Sequence, residues 1–429
     1  MNNCTIVLLG ATGDLARRKI FPALFQLFIH HKLENCIIIG AALEKLTSLQ
    51  FHAQIKHSVN PADDTLWNQF CAHIFYMPMD FLKQEDFFAL HTFIINHESS
   101  AQNKKNRLVY CATAPYFYSS ITIGLAQAKI ITRPNDSKNQ EQNFWQRIAY
   151  EKPFGHDLVS ARELNTVIAT YFDEDQIFRI DHYLAKEIVN NIALLRFSNI
   201  SFEPVWNNRF IEQVQIIFDE HEGIKGRGAF FDHYGILADV VQNHMMQLMA
   251  LIAMEAPGTL SGDALCKERA RVLQNVSVKD VLLAQYQDYT KEQGVSPNST
   301  TATFAQLYLE INNSRWAGVP FYLRAGKYLN QKKTAVVIKF KSDVMPAELK
   351  FSPDELAHGT SPEYEIILEE LFKGEKSLSV RFDEIEYAWQ IIDAAKAKSV
   401  QLYTYQKESK GPDQASLLFD EKYKIEWKL

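Results

Sequence analysis

The sequence predicts an α/β protein: a Rossmann-type doubly wound parallel sheet, followed by an α+β domain with a largely antiparallel sheet. Three observations predict this. A short apolar run, Thr5–Leu9, ends at Gly10, and after a helical stretch a second run, 36–39, ends at Gly40. Strand, glycine turn, helix, strand is the opening of a doubly wound sheet. Further strand-like runs at 74–76, 108–111 and 148–150 alternate with helical patterns. Beyond about residue 180 the rhythm changes. Apolar runs at 213–218, Phe304–Ile311, 336–340 and 377–381 are joined largely by loops, around one long helix expected over 236–254. That is the pattern of an α+β domain.

A chain of 429 residues is too long for one ordinary core. The expected division is residues 1–180 as a dinucleotide-binding domain and 181–429 as a substrate-binding and oligomerisation domain. Hydrophobic residues at 47% and charged residues at 22% are ordinary globular proportions. A net charge of -6 gives no nucleic-acid footprint. Met1-Asn2-Asn3-Cys4 lacks the basic and apolar regions of a signal peptide, and segments such as 245–254 fall short of a membrane span. Five scattered cysteines without a CxxC pair read as reduced thiols of a cytoplasmic protein, and no metal-ligand spacing is present. Residues 132–144 read as a polar loop.

The chemistry-bearing motifs follow in chain order. Gly10-Ala11-Thr12-Gly13-Asp14-Leu15-Ala16 lies at the first strand-to-helix turn. Glycines there let backbone N–H groups approach a pyrophosphate at a helix N-terminus. As a partial GxxGxxA fingerprint it is weak alone, and equally describes a packing turn. Arg17, Arg18 and Lys19 then crowd the first helical turn, where cations are disfavoured unless an anion is near. Glu151-Lys152-Pro153-Phe154-Gly155 follows the run at 148–150, so Lys152 sits at a carboxyl-terminal strand end, where open α/β sheets bind ligands. A salt-bridging surface lysine is the competing reading.

Arg179-Ile180-Asp181-His182-Tyr183-Leu184-Ala185-Lys186-Glu187 is more specific. His182 and Lys186, four apart, share one face near a helix start. Two basic groups, a phenol and free N–H groups suit a phosphate. In the long helix, His244 falls among Val240, Val241 and Leu248. Such a histidine is more often a packing residue, but Asp239 on the same helix and Asp181 elsewhere are carboxylates able to orient an imidazole as a base. Arg324, Lys327, Lys332 and Lys333 surround Gly326, as a solvated loop or an anion site.

Taken together and in this order, these motifs resemble those of the glucose-6-phosphate dehydrogenase family. So do Gly226-Arg227-Gly228-Ala229-Phe230-Phe231-Asp232, Gln242-Asn243-His244, the stretch from Val319 to Lys327 and Ser409-Lys410-Gly411-Pro412. The resemblance implies a dehydrogenase that oxidises C1 of glucose 6-phosphate to the phosphogluconolactone, with hydride passing to NADP or NAD. It implies that His244 is the general base and Asp181 its hydrogen-bonding partner. His182, Tyr183 and Lys186 would hold the 6-phosphate, and Lys152, Glu220, Asp239, Lys327 and Lys332 would line the sugar site. Gly10, Gly13, Asp14, Leu15, Lys19, Leu43, Glu44 and Lys152 would form the dinucleotide site. Expected partners are a small-molecule phosphosugar and a second copy of the chain, with no nucleic acid and no membrane.

Three positions depart from the family pattern. Ala185 stands where glycine is usual. The chain is short after Lys341, so that Asp343 leads quickly to Tyr364-Glu365, which places one sugar contact and the usual oligomer interface in question. Leu43 replaces the arginine that holds the NADP 2′-phosphate, and Glu44 beside it suits a ribose 2′-hydroxyl, which favours NAD; against this, Lys45, Arg17, Arg18 and Lys19 are near enough in sequence to pair with a 2′-phosphate. The competing functions are an NAD-preferring oxidoreductase of another phosphorylated sugar, including the glucose–fructose oxidoreductase type, and a nucleotide-binding regulator without turnover.

Overall fold

The computed structural model describes residues 3–427, apart from 34, 102–104, 135–143, 199–201, 225, 260, 342–346, 353–362 and 400. Most of the polar loop expected at 132–144, and most of the shortened stretch before Tyr364, therefore lie outside the described residues.

The chain divides into two compact units, and the division is not a single cut near residue 180. The first comprises Met1–Gly155, Val159–Ala185 and Thr360–Val380; the second comprises His156–Leu158, Lys186–Gly359 and Arg381–Leu429.

The first unit is built on a six-stranded parallel sheet: β1 (Thr5–Leu9), β2 (Ile37–Ala42), β3 (Ile74–Pro78), β4 (Arg107–Cys111), β5 (Gln146–Glu151) and β6 (Ile177–Ile180). Its order is β3-β2-β1-β4-β5-β6, the doubly wound arrangement the sequence predicts. β1 and β2 are buried throughout, as parallel strands covered on both faces must be. β6 was missed because its four residues, Ile-Phe-Arg-Ile, are too few to show a period. All five cysteines are free, and Cys4 and Cys36, at the feet of β1 and β2, bring their sulfurs to 3.1 Å.

A helix from far down the chain, Glu363–Lys373, completes this unit's core. Tyr364, Ile367, Leu368, Leu371 and Phe372 are buried in one cluster with Ile6, Leu8, Ile20 and Leu24. Their spacing of 3, 4, 7 and 8 is one helical face. The Arg147 guanidinium caps the helix end, donating to the Leu371 and Phe372 carbonyls at 2.6 and 2.7 Å. The segment then runs back along β6, with Val380 N–H donating to Arg179 O at 2.9 Å. Here the sequence reading needs correction: 377–381 is not a strand, and forms only an isolated bridge between Ile180 and Ser379.

The second unit holds a seven-stranded sheet of β7 (Ile211–Asp219), β8 (Val276–Tyr286), β9 (Phe304–Ile311), β10 (Pro320–Gly326), β11 (Lys333–Phe340), β12 (Glu348–Phe351) and β13 (Leu402–Tyr405), in the order β12-β11-β7-β10-β9-β8-β13. It is mixed but largely antiparallel; only β7 with β10 and β8 with β13 run parallel. The long helix runs over Gly228–Ala253, earlier than expected, with a break at Gly235 (φ 65°). At 26 residues and a mean hydropathy of 1.3 it has the length and composition to cross a membrane, but its apolar window is wholly buried in the protein. Its last carbonyls are satisfied by buried donors: Arg196 on Leu251, Ile252 and Met254, Trp206 on Ile252 and Trp316 on Ala253.

Candidate active site

The predicted site residues fall into two groups, one in each unit. In the first unit, the turn after β1 is shaped by Gly10. Its φ of +84° is a left-handed conformation, and a Cβ there would lie 2.6 Å from Ala112 O at the end of β4. Gly13 N–H closes the turn on Gly10 O at 2.9 Å. The helix behind it widens over Ala16–Ile20 ahead of Pro22, which has no N–H to donate. Two buried polar atoms beside this turn have no hydrogen-bond partner, Thr113 Oγ1 and Arg17 Nε. Unsatisfied buried donors are costly, and a phosphate-bearing ligand at the turn would satisfy them. The donor set therefore fits a dinucleotide.

Asp14 and Lys19 are exposed, Leu15 is half-buried, and Asp14 pairs with Arg18 at 2.7 Å. Leu43, at the mouth of β2, is 69% exposed. Glu44 beside it is exposed and accepts from Thr12 Oγ1 at 2.5 Å. The neighbouring Tyr76 hydroxyl holds the Glu44 carbonyl at 2.6 Å.

At the ends of β5 and β6 lie Lys152 and Asp181. The Lys152-Pro153 peptide is cis. Glu151, buried, precedes Lys152; its Oε1 accepts from Tyr110 Oη at 2.5 Å and from Tyr364 Oη at 3.3 Å. Burial pushes this carboxyl up to about 7, against the opposing pull of the two phenols and of the Lys152 charge, with Asp181 adding to the rise. Asp181 is buried; its Oδ1 accepts from Tyr183 N–H at 3.0 Å and its carbonyl from Leu184 N–H at 3.0 Å, folding the turn that presents His182 and Tyr183. The rings of His182 and Tyr364 are nearly parallel, 17° apart with centroids at 6.5 Å.

In the second unit, Lys186 lies just before the helix Glu187–Phe197. The long helix widens into π-type turns over Leu237–Met245, which contain both Asp239 and His244, each buried. Asn243 stabilises the widened stretch: its Nδ2 donates to Ala238 O at 2.9 Å and its Oδ1 accepts from His244 N–H at 2.7 Å. Lys327, after β10, is buried and clamped between Glu220 (2.6 and 2.7 Å) and Asp239 (3.5 Å). Tyr405 Oη holds the Lys327 carbonyl at 2.6 Å, and Leu329 N–H donates to Glu220 O, so the β7 and β10 loops are fixed together. Lys332 is exposed at the edge of β11.

The structure thus brings Glu220, Asp239 and Lys327 into one cluster, whereas the sequence could only name them separately. It adds Arg227, 3.6 Å from Asp239. Sequence reasoning quoted Arg227 in its glycine motif without assigning it. It also passed over Thr113, whose only signal is a hydroxyl at the carboxyl end of a parallel strand.

Comparison with known proteins matches most of the chain. Residues 7–191 match the glucose-6-phosphate dehydrogenase NAD binding domain, and residues 193–346 and 342–428 match the C-terminal domain of the same enzyme. Glucose-6-phosphate 1-dehydrogenase 6, cytoplasmic, of Arabidopsis thaliana is 36% identical, aligned over 97% of this chain and 90% of its own length. The Dictyostelium discoideum glucose-6-phosphate 1-dehydrogenase is 33% identical over 96% and 93%. A solved glucose-6-phosphate dehydrogenase in complex with glucose 6-phosphate superposes with a TM-score of 0.87 at 30% identity, covering 100% of this chain and 99% of that one. With the nucleotide-binding sheet, the second sheet and the full length of the chain all matched, the chain belongs to the glucose-6-phosphate dehydrogenase family.

Proposed function

We propose that this chain is a glucose-6-phosphate 1-dehydrogenase that oxidises C1 of glucose 6-phosphate to 6-phosphogluconolactone. The observation that carries the reading is the second-unit cluster, in which buried Lys327 is gripped by Glu220 and Asp239, the latter on the same widened helical stretch as buried His244. Carboxylates and an ammonium held this way offer acceptors and a donor to adjacent sugar hydroxyls.

His244 takes the proton from the C1 hydroxyl, and Asp181 orients the imidazole and stabilises its cation. The bound nicotinamide supplies the hydride acceptor. His182, Tyr183 and Lys186 hold the 6-phosphate, so binding energy remote from C1 orients the reacting carbon. Lys152 and Lys332 complete the sugar and phosphate contacts. Gly10, Gly13, Asp14, Leu15, Lys19, Leu43, Glu44 and Lys152 hold the dinucleotide. Residues 1–180 act mainly on the cofactor and 181–429 on the sugar and in self-association. The protein works in the cytoplasm, as does the similar Arabidopsis protein by its name, and as a homodimer.

NAD serves at least as well as NADP. Leu43 offers a 2′-phosphate neither charge nor donor, and the Glu44 carboxylate, anchored by Thr12, repels it. Absorbance assays with a panel of sugar phosphates and both nicotinamide cofactors test the whole reading. Turnover is expected with glucose 6-phosphate. Preference for a different phosphosugar would establish the second reading, an NAD-linked oxidoreductase of that sugar, and no turnover with any would overturn both.

A further inference from the structure

Glu151 and Tyr364 are a buried polar pair that no step above uses. Glu151 closes β5 directly before Lys152. Its side chain and main chain are fixed from three other elements: Tyr110 of β4 and Tyr364 of the helix Glu363–Lys373 donate to Oε1, and Tyr118 of the helix Tyr118–Gln127 donates to the carbonyl at 2.7 Å. The charged and titratable groups around the carboxyl are Lys152 next in the chain, Asp181 at the end of β6, and the phenols Tyr110, Tyr118 and Tyr364. Tyr364 also lies parallel to the His182 ring. One side chain from late in the sequence therefore hydrogen-bonds the neighbour of Lys152 and lies parallel to the ring of a predicted phosphate ligand.

We propose that Glu151 and Tyr364 are positioning residues: with its side chain held by Tyr110 and Tyr364 and its carbonyl by Tyr118, Glu151 fixes the end of β5 that Lys152 directly follows, and its charge supports the Lys152 ammonium, so that ionisation of Glu151 accompanies turnover. This rests on the reading that places Lys152 at the sugar. A dry carboxyl is neutral unless something repays the loss of water. Neutral, Glu151 gives Lys152 no countercharge; ionised, it does. Hydrogen bonding to two phenols needs only an acceptor, which an amide would supply, so the carboxyl's distinct contribution is its charge. Burial holds its titration at about 7, within the working range of a cytoplasmic enzyme.

The test is the pH profile of kcat/KM for glucose 6-phosphate in the wild type, Glu151→Gln, Tyr364→Phe and Lys152→Ala. Two groups, His244 and Glu151, must lose a proton in the wild type, so the acid limb is expected to have a slope of two. Glu151→Gln keeps shape and acceptor but removes one titration, reducing the slope to one and lowering kcat/KM about tenfold on the alkaline side. Tyr364→Phe removes a donor that favours the ionised form. One inflection then moves to higher pH by about half a unit to one unit, the worth of one hydrogen bond, and the deficit shrinks as pH rises. A merely structural defect would lower activity equally at every pH. Profiles of both variants parallel to the wild type, with Lys152→Ala inactive, overturn the positioning proposal while leaving the functional reading intact. An active Lys152→Ala overturns the placement of Lys152 itself. If Glu151→Gln does not fold, the direction of the Tyr364→Phe shift decides alone.

Discussion

Asn243 spends its side chain on the backbone of its own helix, and in doing so fixes the residue that follows it. His244 is thus held by the scaffold independently of its imidazole, and His244→Asn is expected to fold. Its kcat should fall by about 10²–10⁴, the usual worth of a general base, while the affinity for the phosphosugar stays near wild type. Steady-state kinetics with a melting curve check both halves of that statement. At the mouth of β2, Leu43→Arg is expected to raise kcat/KM for NADP about tenfold relative to NAD, since a charge-assisted hydrogen bond contributes roughly 1.5–3 kcal/mol; an unchanged ratio would show that residue 43 does not meet the ribose. Glu151 also leaves a mark on stability. Its carboxyl titrates at about 7 in the folded protein against an ordinary value of 4.5, so between those values the folded state holds a proton that the unfolded state has lost. Stability from this group is full below pH 4.5 and lost as pH rises through 7, by about 3 kcal/mol. Urea midpoints of the wild type should fall relative to those of Glu151→Gln across that window. The glycine turn and the basic residues were legible in the sequence because each motif is local. Tyr364 was not, because its partner Glu151 lies 213 residues away and nothing in either neighbourhood names the other.

The helix Glu363–Lys373 is amphipathic by its own spacing, yet only the fold reveals which core it serves. Leu368, fully buried in the first unit's cluster, tests its contribution: Leu368→Ala is expected to cost 2–5 kcal/mol, read as a lowered urea midpoint with an unaltered slope. A loss below about 1 kcal/mol would mean that the helix is peripheral to the core. Five of the six strands of the first sheet were legible, β6 excepted, because buried parallel strands read as near-continuous apolar runs, as at β1 and β2. β8, β10, β12 and β13 of the second sheet were missed; β12 is four residues long with no buried position. β8 mixes buried and half-exposed positions without clean alternation, β10 begins at a proline and contains an arginine, and β13 has four residues. The run at 377–381 misled for the opposite reason: its alternation is real, but it meets β6 only through Ser379 and Val380, in an isolated bridge, before the chain turns into the helix Phe382–Lys398. The long helix began eight residues early because Gly235 breaks the periodicity without ending the element.

At the scale of the molecule, the two sheets and their chain order were legible, while the interleaving of the two units was not. Domain boundaries are sought where composition shifts, and the return of Thr360–Val380 to the first unit produces no such shift. The expected homodimer is a matter of area: stable dimers bury about 1,200–2,000 Å² or more, and a shortened second unit has less surface to commit. Sedimentation at micromolar concentration should give a dimer that separates on dilution, and a tetramer persisting on dilution would show the short segment to be dispensable for assembly. The interleaving also bears on how the protein is made. After Ala185 emerges from the ribosome, about 175 further residues must be synthesised before the segment that closes the first unit appears. At about 5–20 residues per second, the apolar surface around Ile20 and Leu24 waits roughly 10–35 s for Tyr364, Ile367, Leu368, Leu371 and Phe372 to cover it. A nascent chain in that interval is a client for chaperones, and a fragment ending at Ala185 carries the whole parallel sheet with its lid missing.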